Sequence, residues 1–506
     1  MRYVRLVGTI VHAFAETAQR VPDRTALICG DRRIDYRQYH AAVAAYARRL
    51  ATRGVAGKRV ALLMPNGIEV AVAAMAVMAA RAQVVPLNAN YPPAALAPLL
   101  TDVAATMLVC TSETEELGRT VAAEVGIGHV DVFGPGGLAV DDWIDKPDPA
   151  LPEPLPGPDD RSVLFFTGGT TGTPKGASHT HRNDMAYARA VQTAWPLEPD
   201  ADIVLMAAPN FHTWGFSNVV ITPVLAGATV DYLVRYQPGV VLEHFERERI
   251  TVFAGGPAAL YVGLMAHERF RTTDFSSLRM CLAGGSPCPE ALHTRWEAAT
   301  GCPILEGWGM SEGAPINCNP VDGVRKPGSV GLPAPLTEID IVDLDTGEQV
   351  LAQGEVGEVR VRGPQFVTGY VDRPEESART FRDGWLYTGD IGRIDEDGYL
   401  WLVDRKKEMI LVGGYNVYPR EIDEVLQRHP AVMEVAVVGI PDEFRGETVK
   451  ACVALDPGAE VSADELISHC RERLVGYKVP TVIEFFDELP KTGPGKIDKL
   501  RLKGRR

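Results

Sequence analysis

The sequence predicts an α/β protein, α+β when taken as a whole. A large N-terminal domain of two α/β subdomains carries a small β-barrel-like subdomain, and a small α+β unit follows. Three observations predict it. Apolar β-type runs alternate with helical patterns through the first three hundred or so residues, the signature of parallel sheets joined by helices. From Thr337 to Val403 the texture changes to short strands and turns, as in Gly357-Glu358-Val359-Arg360-Val361-Arg362-Gly363. Beyond a charged junction, Asp404-Arg405-Lys406-Lys407-Glu408, strand and helix signals start again as a separate unit.

In order, Val60-Ala61-Leu62-Leu63-Met64 reads as a strand, Glu69–Ala80 as a helix and Val84-Val85-Pro86-Leu87 as the next strand. The span Gly134–Asp160 is rich in Pro, Gly and Asp and reads as a surface excursion. Val163-Leu164-Phe165-Phe166 is a short apolar run that reads as a buried strand. In the C-terminal unit Val435–Val438 and Ala451–Leu455 read as strands. Ser462 with Glu465 forms a capping box for a helix running through Leu474. The expected boundaries are 1–403, a hinge at 404–408, and 409–506.

The 506 residues suffice for about three or four core units. With 46% hydrophobic and 23% charged residues the composition is that of a globular protein. A formal charge of −15 argues against a nucleic-acid partner and gives no pull toward anionic lipid. Eight cysteines show no C-x-x-C pair or framework spacing, which fits a reduced, cytoplasmic protein. The N-terminus carries no signal-like apolar region. The longest apolar run, Val70–Ala80, is 11 residues, short of the ~18 of a spanning helix.

The most informative window is Phe166-Thr167-Gly168-Gly169-Thr170-Thr171-Gly172-Thr173-Pro174-Lys175-Gly176. After a strand, glycines let backbone N–H groups converge on an anion, Thr hydroxyls add donors and Lys adds a point charge. That is a phosphate cradle rather than an ordinary glycine turn. It is not a Walker A loop, because Gly176 replaces the Ser/Thr that would hold Mg²⁺. Five further segments accompany it. Asn210–Phe216 sets His212 among aromatics. Glu306-Gly307-Trp308-Gly309-Met310-Ser311-Glu312 joins a flat aromatic to a hydroxyl and a carboxylate. Trp385–Asp390 ends in an Asp on a glycine turn. Asp404-Arg405 precedes Gly413-Gly414. Pro490-Lys491-Thr492-Gly493-Pro494-Gly495-Lys496 places a Lys on a glycine loop. Taken alone, His212 reads as a core histidine, while core packing for Trp308, a turn role for Asp390 and a solvated Lys496 are rival readings to the functional ones.

Together, in this order, the six segments resemble the acyl-adenylate-forming superfamily: acyl-CoA synthetases, adenylation domains of peptide synthetases and beetle luciferases. The resemblance runs from about Ala15 to Leu502. It implies attack of a carboxylate on the α-phosphate of ATP, release of pyrophosphate, and displacement of AMP from an acyl-AMP by a thiolate, usually that of CoA. Thr167, Gly168, Gly169, Thr170, Thr171, Gly172 and Lys175 would hold the β- and γ-phosphates. Lys496 would bridge the carboxylate and α-phosphate. Asp390 and Arg405 would hold the ribose. Trp308 would stack on adenine within a nucleotide wall of Gly285, Glu306, Gly307, Gly309, Met310 and Ser311. Glu312, with Ser311, would approach Mg²⁺, and His212 the substrate carboxylate. Lys407 would be the hinge of a mobile C-terminal domain, with Gly413 and Gly414 lining a CoA tunnel. His179-x-His181 is read as structural. Gly168, Trp308, Ser311 and Lys499 stand where the family more often has Ser, Tyr, Thr and Arg.

Within the family, the His212 segment offers no Asp for an amino acid's ammonium, and no carrier domain follows Lys496. An acyl-CoA ligase is expected, with a medium- or long-chain fatty acid in a pocket of Trp214, Phe216, Gly284 and Met310, and Phe216 as gate. Alternatives are an aromatic or alicyclic acid, an acyl-AMP ligase loading a carrier protein, and a non-catalytic nucleotide or acyl sensor. The expected cofactors and partners are ATP, Mg²⁺, CoA and the acid. A homodimer, and a lysine acetyltransferase acting on Lys496, are further expectations.

Overall fold

The computed structural model describes residues 8–145, 150–167, 174–286, 288–491 and 497–504. The chain forms two compact units, one of residues 1–338 and 361–386, the other of 339–360 and 387–506.

The first unit holds two large sheets. The six-stranded one runs, edge to edge, Val130–Phe133, Met107–Thr111, Arg59–Leu63, Gln83–Pro86, Arg161–Phe166 and Gly176–Thr180. All pairs are parallel except the last, a hairpin. In the nine-stranded sheet a parallel centre passes from Ile304–Met310 through Met280–Gly284, Val252–Gly256, Ile203–Met206 and Thr229–Tyr232 to Thr25–Cys29. Antiparallel strands close both edges. The helix Ile68–Ala79 is buried at every position except Glu69, so its uniformly apolar sequence has a physical reason: it is enclosed on all sides. Strands expected at Val60–Met64 and Val84–Leu87 lie at Arg59–Leu63 and Gln83–Pro86.

The excursion after Gly134 contributes to the core as well as the surface. It forms a short helix, Asp141–Ile144, whose Trp143 stacks on Tyr46 at 5.7 Å and meets Phe133 edge-on at 5.9 Å. A single aromatic in a Pro/Gly/Asp-rich stretch anchors the loop, a signal that composition averages away.

In the second unit, residues 339–342, 357–360 and 387–394 and the strand Leu400–Arg405 form a sheet. A second sheet centres on the long hairpin Val432–Asp442/Gly446–Leu455, flanked by Ile410–Val412, Tyr415–Val417 and Val482–Phe486. The capping box at Ser462/Glu465 is present, and its helix spans Ala463–Arg471. Residues 339–360 and 387–403 group with the C-terminal residues rather than with the first unit. At the end of the strand Leu400–Arg405, the backbone N–H of Arg420, on the helix Pro419–Gln427, donates to Asp404 Oδ2 at 2.9 Å.

Candidate active site

The phosphate-loop window leaves the strand Arg161–Phe166 and returns on Gly176–Thr180. Its neck is closed by Thr167 N–H donating to the Lys175 carbonyl at 2.8 Å and Lys175 N–H to Thr167 Oγ1 at 3.3 Å. Gly168, Gly169, Thr170, Thr171 and Gly172 lie outside the described residues, as does Lys496.

Tyr370 organises the neck. The Lys175 ammonium stands 5.0 Å from the centre of its ring, and its phenol donates to Glu312 Oε1 at 2.5 Å. Burial and the Glu312 carboxylate both push the Tyr370 phenol up, keeping it a donor. Glu312 is buried, and its carbonyl accepts from Val367 N–H at 2.8 Å. The loop before it is held from behind by His179. Burial pushes this imidazole down to about 4, so the ring is neutral and its Nε2–H donates to the Ser311 carbonyl at 2.8 Å. Sequence reasoning missed Tyr370 altogether and took His179 as structural. The signal for Tyr370 was a Gly-Tyr pair ahead of a charged turn, with no chemistry of its own until the fold sets it beside Lys175 and Glu312.

Trp308 lies on the strand Ile304–Met310, half-buried and paired in register with Asn317. Gly307 beside it is a close approach, since a Cβ there would lie 2.4 Å from Trp195. The turn at Ser311-Glu312 joins this strand to Gly313–Cys318, so Trp308, Met310, Ser311 and Glu312 are delivered by one hairpin. Gly285, with φ of +81°, ends the neighbouring strand in open space.

His212 caps the short helix Thr213–Phe216, which runs into a π-helical turn, Ser217–Ile221, a feature that recurs at functional sites. Trp214 lies against two glycines. A Cβ on Gly284 would stand 2.7 Å from its Cζ3, and one on Gly256 3.4 Å from its Nε1. The indole meets Trp195 edge-on at 6.4 Å, and its buried Nε1 has no hydrogen-bond partner among the described residues. A gap of about 10 Å³ lies among Trp195, Val204, Val252, Ala254 and Leu282, with Asn218 and Thr222 also at its wall. Phe216 is 1% exposed and packs on Phe165 at 5.6 Å in the main core.

In the second unit Asp390 and Arg405 are register partners on adjacent strands, and Arg405 Nε donates to Asp390 Oδ1 at 3.0 Å. The other carboxylate oxygen, Oδ2, is buried without a hydrogen-bond partner among the described residues. Burial raises the Asp390 carboxyl, and Arg405 pulls it back toward the ionised form. Lys407 is exposed in the turn between Leu400–Arg405 and Ile410–Val412. Gly413 and Gly414 have φ of +60° and +87°, with nothing near the position of a Cβ.

Residues 14–371 match the family model described as AMP-binding enzyme, and 421–496 match AMP-binding enzyme C-terminal domain. The chain belongs to the AMP-binding enzyme family. It is similar to a feruloyl-CoA synthase of Amycolatopsis sp, 39% identical over 491 residues covering 96% of this chain and 97% of that one. A long-chain-fatty-acid–CoA ligase of Yersinia pestis is 36% identical, with 98% of this chain and 94% of the relative covered. A Bacillus subtilis long-chain-fatty-acid–CoA ligase is 43% identical over 346 residues, where the match spans 68% of this chain and 61% of that ligase. The fold matches ATP-bound MatB from Rhodopseudomonas palustris with a TM-score of 0.90 at 31% identity, covering 97% and 98% of the two chains. This family member is an ATP-dependent acyl-CoA ligase, an acid–thiol ligase. No described helix is long and apolar enough to cross a membrane.

Proposed function

We propose that the acid is a medium- or long-chain fatty acid, joined to CoA through an acyl-AMP. What supports the reading is the likeness to long-chain-fatty-acid–CoA ligases over 98% of this chain, together with the apolar side chains Val204, Val252, Ala254 and Leu282 behind Trp195, around a gap that must widen to admit a chain. A straight chain reaching it displaces the Trp214 and Trp195 rings. The gate therefore falls to Trp214, because Phe216 is held in the core.

The site residues take these roles. The Thr167–Lys175 loop receives the β- and γ-phosphates, and Lys175 is steadied over Tyr370. Trp308 offers a face to adenine. The unpartnered Oδ2 of Asp390 accepts a ribose hydroxyl, with Arg405 holding the other oxygen. His212 lies by the substrate carboxylate, and Lys496 supplies the positive charge between carboxylate and α-phosphate. Glu312 and Ser311 offer oxygen ligands of the kind Mg²⁺ seeks, and the ion when bound offsets phosphate charge. The chain divides functionally at 404–408, where rotation about Lys407 exchanges an adenylating pose for a thioester-forming pose that uses Gly413 and Gly414. Acetylation of Lys496 removes its charge and stops adenylation. All eight cysteines are free thiols, which supports a reducing compartment such as the cytoplasm.

A second reading, an aromatic acid, is favoured by Trp214 itself. Its ring already fills the notch left by Gly284 and Gly256, which suits a short, flat acyl group.

The test is product analysis with ATP, Mg²⁺, CoA and a panel of carboxylic acids. Acyl-CoA yield rising with chain length supports the first reading, and an optimum at benzoate- or cinnamate-type acids replaces it with the second. Acyl-AMP without thioester assigns carrier-protein loading instead.

A further inference from the structure

Cys288, His293 and Glu306 converge in the first unit, and the Glu306 carboxylate, expected in the nucleotide wall, faces His293. All three are buried, at 3%, 8% and 3% exposure. One ligand atom from each lies within 4.8 Å of the others. Cys288 stands just before the helix Glu290–Thr300, His293 sits in its first turn, and Glu306 comes from the strand Ile304–Met310. The backbone of Glu306 is fixed. It pairs in register with Ala283, and its carbonyl accepts from both the backbone N–H and the side-chain Nδ2 of Asn319.

His293 Nε2 and Glu306 Oε2 are 3.6 Å apart. That is beyond hydrogen-bond reach, and each atom is buried with no hydrogen-bond partner among the described residues. A carboxylate and an imidazole left in this state inside a protein are costly. A tetrahedral ion with bonds of about 2.0–2.3 Å holds its ligand atoms roughly 3.3–3.8 Å apart. The His293–Glu306 pair already has that spacing, and the Cys288 Sγ lies within 4.8 Å of both.

We propose that Cys288, His293 and Glu306 form a binding site for one borderline divalent cation, Zn²⁺ by preference. Sulfur and imidazole nitrogen select such an ion over Mg²⁺, which takes oxygen ligands. The site is thus chemically separate from Glu312. Three protein ligands leave a fourth position for water. The competing account is a proton shared between His293 and Glu306, with Cys288 as packing.

The test uses the full-length protein, stripped with a chelator and titrated with Co²⁺. One equivalent binds with a thiolate-to-cobalt charge-transfer absorption in the near ultraviolet, displaced by Zn²⁺ and not by Mg²⁺. Cys288→Ser abolishes that absorption. His293→Gln keeps it but weakens Co²⁺ binding at least about tenfold, and this variant carries the test if Cys288→Ser does not fold. The proposal is overturned if the intact protein shows no thiolate absorption, if the absorption survives Cys288→Ser, or if His293→Gln leaves affinity unchanged. The outcome is independent of which acid the enzyme activates.

Discussion

Gly284→Ala tests whether Trp214 governs the acyl space. The new Cβ would lie 2.7 Å from Trp214 Cζ3 and 3.0 Å from the Gly307 carbonyl oxygen. The carbonyl has little freedom, since Gly307 pairs in register with Gly284 on one side and Cys318 on the other. The indole must therefore retreat by roughly 0.7 Å to regain an ordinary carbon contact. With Gly256 and Trp195 on its other sides, it retreats toward the acyl group. Overpacking of this kind costs about 1–3 kcal/mol, and 1.4 kcal/mol is a factor of ten. The expected kcat/KM for dodecanoate falls about 10- to 100-fold, while that for a short acid such as butyrate and the KM for ATP change little. Trp214→Ala added to Gly284→Ala restores activity on the long acid. Steady-state kinetics with the two acids reads this directly. An equal fall for both acids, unrelieved by Trp214→Ala, would refute the assignment of Trp214 as the gate.

Three other variants probe separate parts of the site. Glu312→Gln removes the charge beside Tyr370 and is expected to lower acyl-AMP formation about 10²-fold or more and raise the Mg²⁺ concentration needed for half-maximal rate; an unchanged Mg²⁺ dependence counts against the ligand role. Asp390→Asn withdraws an acceptor from the ribose and half of the pair with Arg405, so the KM for ATP rises about 10- to 100-fold, the equivalent of a charge-assisted hydrogen bond, with the acid's KM unaffected. Lys499 lies 3.1 Å from Glu408 and 3.5 Å from Asp423. Burial pushes the Asp423 carboxyl up to about 7, with Lys499 opposing. A raised carboxyl favours the folded state most below its unfolded value and loses that contribution as pH climbs through 7. Lys499→Met is therefore expected to cost about 1–3 kcal/mol at pH 8, below the range for a fully buried pair because each side chain keeps about a quarter of its exposure, and less at pH 5.5, where Asp423 is protonated. Equal losses in thermal melts at the two pH values would contradict this.

The α/β plan and the motif positions were legible because they rest on local signals. The strand before the phosphate loop, the capping box at Ser462/Glu465 and the buried helix at Ile68–Ala79 each write their environment into a few consecutive residues. The parts that were not legible depend on partners far along the chain. Tyr370 meets Glu312 across 58 positions, and His179 reaches Ser311 across 132. No window of sequence contains both ends of such a bond. Phe216 shows the opposite failure. Its place in the His212 segment suggests a gate, but which way a residue faces is set by the π-helical turn and Phe165, neither visible in local pattern.

The central claim is that a carboxylate attacks the α-phosphate. The most direct measurement supplies a fatty acid labelled with ¹⁸O in both carboxylate oxygens, together with ATP and CoA, and examines the products by mass spectrometry. One labelled oxygen appearing in AMP, with the other retained in the thioester, is the predicted result. Label in inorganic phosphate, accompanied by ADP, would contradict the account.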